Sequence, residues 1–214
     1  MLFGVGSPIV GDVEESLARA GLPVHVAVRN RPCESFLLDA SVLVELADLT
    51  DTARQHPFLV PLFTPAHRQT AVREAEHLGF HHPFTLVDPT LILPRSLFVG
   101  HGVYINVGCT LGSAADLGDY VFVNRGASLG HHARLGRFVS IGPGVVLAGG
   151  VTIGAGAVVG AGAVVLPKIT IGTNAVVGAG SVVTKDVPEH CLVLGNPARV
   201  VKQDILGYAD LSVT

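Results

Sequence analysis

A period of six runs through more than half of the chain. Stepping by six from Val87 gives Val87, Leu93, Val99, Ile105, Leu111, Leu117, Val123, Leu129, Leu135, Ile141, Leu147, Ile153, Val159, Val165, Ile171, Val177 and Val183, and all seventeen are Leu, Ile or Val. Those three residue types make up under a third of the chain, so an arbitrary comb would collect about five. Ten of the residues that follow a comb residue are glycine, and Asn106 and Asn124 fill two more. Two places before the comb residue the side chain is small or aliphatic at nearly every step, as at Ala127, Ala133, Val139, Val145, Val151 and Ala157.

Six matches neither the 3.6 period of a helix nor plain strand alternation. It matches a hexapeptide parallel β-helix, which buries its core by stacking coils. Residues two apart in a strand face the same side, so the comb residue and the one two before it are expected to point inward. The Gly or Asn after the comb residue is expected at the corner, where positive φ is useful. Three strands close one triangular coil in the left-handed version. Seventeen hexads then make nearly six coils, about 27 Å tall at about 4.8 Å per strand spacing.

Composition narrows the remaining classes. The 214 residues suffice for one large domain or two small ones, and 49% hydrophobic against 14% charged is far from a disordered composition. A net charge of −3 gives no electrostatic case for nucleic acid. Cys33, Cys109 and Cys191 form no CxxC pair or disulfide framework, and MLFGVGSPIV lacks the features of a secretory signal; both point to a reducing cytoplasm. Phe138 to Pro167 is uncharged over thirty residues and imitates a membrane span by hydropathy. Eight of those residues are glycine, and the period of six continues through charged positions such as Asp119, Arg134 and Arg137. No membrane span is expected.

Residues 1–80 lie outside the comb. "LFGVG" reads as a short buried strand entering a Gly-rich turn, "DVEESLARAG" as a helix stopped at Gly21, "VHVAVRN" as a second strand and "PFLVPLFT" as a third. "PAHRQTAVREAEHLGF" reads as a helix begun near Pro65 and stopped at Gly79. This alternation predicts a small α/β unit like half of a doubly wound nucleotide-binding fold.

The comb, "LGHHARLG" at 129–136, the closing "SVVTKDVP" and the later "GNPARVV" together resemble the left-handed β-helix acyltransferases. Length and the domain in front resemble the subgroup of sialic acid O-acetyltransferases and nucleotide-amino-sugar N-acetyltransferases of bacterial surface glycan synthesis. The resemblance implies an α/β half-Rossmann-like domain at 1–84 for the acceptor, a β-helix acyltransferase domain at 85–186 and a tail at 187–214 capping a CoA groove. It also implies acetyl-CoA as co-substrate, no metal, and a homotrimer with sites between subunits.

His131 stands where the resembling enzymes carry their catalytic histidine, and Gly149, 18 residues later, matches the segment whose backbone N–H meets the thioester carbonyl. The chemistry suits both. Transfer to an amine or hydroxyl removes one proton from the acceptor, and imidazole, with an ordinary pKa of about 6.5, accepts it near neutrality. Charge gathers on the carbonyl oxygen, where a fixed N–H is worth about 3–4 kcal/mol. His132 occupies the place of the usual Asp or Glu. This leaves a weaker base, a carboxylate brought from elsewhere with Asp116 and Asp119 as candidates, or lost activity. Asn124 matches a residue that binds the acceptor in relatives, or serves as a corner Asn.

The resemblance places the CoA arm along Ala148, Ala161, Gly178 and Ala179, with Lys168, Arg199 and Lys202 near its phosphates and Pro197 in the capping segment. In front, Gly4, Gly6 and Gly11 give a loose nucleotide fingerprint. Relatives read Gly-x-Gly-Gly-His-Gly there, whereas this chain reads "GVGSPIVGD" with no histidine, and Arg29-Asn30 replaces the usual acidic residue after the second strand. That domain either holds the acceptor, with Arg29 on a phosphate or carboxylate, or is a scaffold. Two other functions are open to such a chain. A zinc carbonic anhydrase on this fold needs three gathered histidines, but His131 and His132 are adjacent and the next is His190. A non-catalytic trimer that binds a sugar nucleotide or CoA fits the missing acid and the altered Gly-rich turn.

Overall fold

The computed structural model describes residues 1–214. From Leu86 the chain winds as a left-handed parallel β-helix whose strands are two residues long up to Val183. Sixteen of the seventeen comb residues are the second residue of a strand. Partners are 18 residues apart, as in Ser128↔Val146 and Leu129↔Leu147. One face runs from Thr110–Leu111 to Val182–Val183, a second from Phe98–Val99 to Thr170–Ile171, and a third from Leu86–Val87 to Val176–Val177. Strand Leu192–Gly195 continues the third face, and Ala198–Lys202 folds back on it antiparallel. Inside, comb residues and those two before them supply 25 residues of a buried core of 28, which Val187, Cys191 and Val193 complete. No helix is long and apolar enough to cross a membrane.

Leu93 departs from the expected pattern. It lies in no strand and is 44% exposed. Elsewhere the N–H after the comb residue bonds the coil above, as Gly112 N–H does to Leu129 O at 2.7 Å. Pro94 has no N–H to offer, so the first hexads do not pair there.

The corner glycines also act differently from expectation. Positive φ falls three places after the comb residue, at Gly126 (67°), Gly144 (66°) and His132 (56°), and not at the glycine directly after it. That glycine is required by close approach. A Cβ on Gly130 would lie 2.5 Å from Ala148 C and 2.7 Å from Gly149 N of the next coil, inside any tolerable contact. The coils stack so closely at this place that only hydrogen fits.

The N-terminal unit contains β1 (Leu2–Phe3), α1 (Val10–Arg19), β2 (Ala27–Arg29), β3 (Leu43–Glu45), α2 (Asp51–Arg54) and α3 (Pro65–His77), with a parallel sheet in the order β1-β2-β3. β3 comes from "SVLVEL", which carried no strand reading. The strand expected in "PFLVPLFT" shrinks to an extended segment bridging Leu59 to Leu2, because Pro57 and Pro61 flank it and offer no ladder donor. α1 and α3 end at glycines with positive φ, Gly21 and Gly79, as their sequence suggests.

Two buried charges join this unit to the prism. Arg68 is 1% exposed, and its guanidinium donates to the carbonyls of Leu62, Phe63, Tyr120, Phe138 and Val139 and to Ser140 Oγ, at 2.6–3.2 Å. Burial pulls its pKa down to about 9, so the group is still charged at neutral pH. Asp88, fully buried at the foot of the third face, accepts from Arg19, Ser16 and Thr90 at 2.6–3.0 Å. Burial alone would raise its pKa; the hydrogen bonds from Thr90, Arg19 and Ser16 outweigh that and hold it at about 2. The N-terminal unit thus packs on the third face and on the edge where it meets the second, at Tyr120 and Phe138, and reaches the edge shared with the first only through Asp12, which meets Asn106 and Arg125; Gly126, Gly144 and Gly162 there face open space. It leaves the opposite edge, where the first and second faces meet, bare.

Gly130→Ala should cost about 3 kcal/mol of unfolding free energy through backbone overlap, whereas Gly126→Ala, with open space around it, should cost about 1 kcal/mol through φ alone. Equal urea midpoints for the two variants would contradict the close-approach account. For Asp88 the folded pKa lies below the unfolded one, so its contribution is full above about pH 4 and is lost as pH falls towards 2. Urea titrations from pH 5 to pH 2 should show about 2 kcal/mol of acid sensitivity that Asp88→Asn abolishes; an unchanged slope in the variant would contradict the assignment.

Candidate functional site on the bare edge

On the bare edge, corresponding corners stack one coil apart: Ser113-Ala114, His131-His132, Gly149-Gly150 and Pro167-Lys168. Corner side chains leave the core, and both imidazoles are exposed in the single chain. His131 turns its ring onto the coil above. A Cβ on Gly149 would overlap Nε2 and Cε1 of that ring and come within 3.0 Å of Cδ2. The first glycine of "LAGG" is therefore explained by the imidazole resting on its Cα.

Gly149 is also fixed in orientation. Its carbonyl accepts from Lys168 N–H at 3.0 Å, and the next amide, Gly150 N–H, donates to His131 O at 2.8 Å. Its own N–H has no partner within the chain. At two other corners a side chain caps the equivalent amide: Asn106 Oδ1 accepts from Val107 N–H at 2.7 Å and Asn124 Oδ1 from Arg125 N–H at 2.8 Å. Ala148, preceding Gly149, cannot cap. The N–H groups of Ser113 and of His131 on this edge are likewise open, and Gly149 is the one whose open donor has an imidazole nitrogen lying against its Cα.

The other nitrogen of His131 is engaged. Its Nδ1 lies 3.1 Å from His132 Nδ1, with the rings nearly perpendicular at 85°. No carboxylate reaches either ring. Asp119 sits at another corner, where its Oδ1 accepts from His101 N–H at 2.8 Å, and Asp116 lies on the second face in register with Arg134. Neither expected candidate supplies the missing negative charge within the chain.

Asn124 stands at the far end of the first face, 8% exposed, with Oδ1 also accepting from Asn106 Nδ2 at 3.3 Å. Within the chain it caps its own corner. The expected CoA-arm residues divide between two edges: Ala148 and Lys168 lie with the histidines, Ala161, Gly178 and Ala179 with Asn124. Gly178 is not open, because Leu194 of the C-terminal hairpin packs on its Cα. Pro197 is at the hairpin tip, Arg199 bonds only the neighbouring Ala198 O, at 2.9 Å, and Lys202 lies 4.0 Å from Asp210.

A cleft of about 510 Å³ opens beyond the ends of β1 and β2. Gly4 and Gly6 line it as expected, with Asn30, Arg31, His67 and Ser212. Arg29 does not; its guanidinium forks onto Glu45, its partner in register on β3, and reaches Cys33 O at 3.2 Å. The alternation of side chains along β2 explains this, since Arg29 lies in the strand while Asn30 and Arg31 follow its end. Arg31 forms no ion pair in the chain. A depression of about 580 Å³ between α1 and residues 38–42 is lined by Glu14, Glu15 and Asp39 and would repel a phosphorylated ligand.

Residues 132–167 and 150–185 match the family model of the bacterial transferase hexapeptide, six repeats. The GDP-perosamine N-acetyl transferase of Caulobacter crescentus, solved as a histidine-to-alanine variant with CoA and GDP-perosamine, is 30% identical, with 94% of this chain and 95% of that one covered and a TM-score of 0.81. The chain belongs to the hexapeptide-repeat transferases. This transferase is also similar to the acetyltransferase domain of PglB from Neisseria gonorrhoeae, solved with acetyl coenzyme A: 28% identity, 94% and 97% covered, TM-score 0.82. WeeI from Acinetobacter baumannii, at 21% identity and a TM-score of 0.75 over 94% and 98%, shares the fold. Among curated proteins, the transferase is 35% identical over 95 residues (42% of its length) to an alpha-1,4-glucan:maltose-1-phosphate maltosyltransferase of Burkholderia pseudomallei, and spans 8% of that protein.

Proposed function

We propose that this transferase moves an acetyl group from acetyl-CoA to an amine or hydroxyl of a nucleotide-linked sugar in bacterial surface glycan synthesis. The observation that carries the reading is the stacking of His131 on Gly149, a base beside an uncapped backbone donor. The acceptor nitrogen or oxygen attacks the thioester carbonyl carbon directly and loses its proton to His131 Nε2. The carbonyl oxygen, now an oxyanion, accepts from Gly149 N–H. Collapse breaks the C–S bond with its electron pair on sulfur, and Nε2 returns the proton to the CoA thiolate. No acyl-enzyme is formed.

The acceptor's nucleotide belongs in the cleft of Gly4, Gly6, Asn30 and Arg31, where Arg31 is a free cation for a phosphate. That cleft lies on the side of the prism away from His131, so one chain cannot hold both halves of the reaction. A cyclic trimer resolves this: the cleft of one subunit faces the histidine edge of the next. The same packing closes the CoA groove, with Ala148 and Lys168 from one subunit opposite Ala161 and Ala179 of its neighbour, and Asn124 meeting the acceptor. The C-terminal hairpin with Pro197 and Arg199 caps it. A protein of this fold that binds sugar nucleotide or CoA without turnover is the second reading, favoured by the absence of a carboxylate beside His131.

Release of CoA thiol from acetyl-CoA, with a panel of nucleotide amino sugars, sialic acid and simple sugars as acceptors, separates the two. Turnover is expected with a nucleotide amino sugar, and His131→Ala should lower kcat about 100-fold or more at unchanged acetyl-CoA affinity. Parental turnover in that variant would remove His131 as the base; no thiol release with any acceptor would favour the binding reading.

A further inference from the structure

We infer that His132 is a positioning residue that does the work of the missing carboxylate as a neutral hydrogen-bond acceptor, making the base a two-imidazole pair. The inference rests on the assignment of His131 as base. Two observations carry it. The first is the 3.1 Å approach of the two Nδ1 atoms, which only one proton can occupy. The second is which end of His131 is free: Nε2 lies against Gly149, so Nδ1 is the atom turned to His132.

Those facts select the tautomers. A base acting through Nε2 must carry its own proton on Nδ1, so His131 donates and His132 Nδ1 accepts. His132 then keeps its proton on Nε2. When His131 takes the acceptor's proton, the Nδ1 proton is shared with His132, and the imidazolium charge spreads over two rings; the return of that proton to the CoA thiolate restores both. His132 is held for this role by its backbone. Its φ of 56° is left-handed, fixed by Gly150 N–H bonding His131 O and His132 N–H bonding Ser113 O, at 2.8 and 2.9 Å.

The surroundings add no counter-charge. The neighbouring coils of this edge place Ser113 and Ala114 below the pair and Gly149 and Gly150 above it. Farther along the edge stand Arg95, Lys168, Lys185 and Asp186, and on the adjoining face Arg134 with Asp116 in register; none forms an ion pair with either ring. Asp186 Oδ1 accepts from Thr170 N–H at 2.8 Å. The pair therefore begins each turnover uncharged. Protonating both Nδ1 atoms breaks the contact.

Three variants of the full-length protein test this. Glycine suits the left-handed backbone and removes the acceptor, asparagine puts an oxygen at the position of Nδ1, and aspartate puts a charged one there. His132→Gly should lower kcat about 10-fold or more with KM for acetyl-CoA unchanged, and His132→Asn should recover most of that loss. His132→Asp should move the acidic limb of kcat/KM up by about one pH unit, since a carboxylate stabilises the imidazolium. Nitrogen-15 spectra of labelled histidine should show His131 as the Nδ1–H tautomer in the parent and in His132→Asn, and as Nε2–H in His132→Gly. Parental kcat and tautomer in His132→Gly, or an unmoved limb in His132→Asp, would overturn the inference. Because His131→Ala is read separately, either result leaves the base assignment standing or falling on its own.

Discussion

Coil-to-coil stacking at the corners fixes everything else in this molecule. Each strand is two residues long, far too short to hold a register alone, and the 18-residue spacing is enforced by inward side chains and by backbones that nearly touch. Where Gly130 passes beneath Ala148 and Gly149, a single carbon atom would force the coils apart. The same spacing brings the imidazole of one coil onto the Cα of the next. Fold and site are thus one constraint: what keeps the prism tight also places an imidazole against the backbone of Gly149.

The location of the N-terminal unit gives the prism its polarity. Arg68 and Asp88 are buried charges, costly unless every hydrogen-bonding position is met, and here the bonds come from both parts of the chain. They bind the unit to the third face, across the prism from the histidine edge. A chain arranged so separates the cleft proposed for the acceptor from the histidine proposed as base, and this separation is the physical reason to look for the reaction between subunits.

Much of this was legible in the sequence because the period of six is a statement about burial, and burial is what hydrophobic residues report. Sixteen strand positions, the corner location of His131 and its 18-residue relation to Gly149 follow from counting. What counting missed depends on backbone geometry or on a second element. The glycines after comb residues looked like positive-φ positions, but their reason is a contact with another coil, which no single hexad contains. Arg29 looked available for a ligand until β3, from a stretch without clear alternation, brought Glu45 beside it. Asn30, Arg31 and His67 line the cleft through the meeting of two loops and α3, and no local pattern marks them. The proline-flanked segment near Leu59 shows the reverse, where strand-like composition was overruled by missing donors.

The central claim is that the bare edge is where the thioester is bound and attacked. A crystal structure of the protein with acetyl-CoA measures this most directly. The account predicts the thioester carbonyl oxygen about 3 Å from the nitrogen of Gly149, with the carbonyl carbon in reach of an acceptor that His131 Nε2 can deprotonate, in a groove closed by a second subunit. A thioester bound on another edge, or a carbonyl oxygen turned away from that amide into solvent, would contradict it.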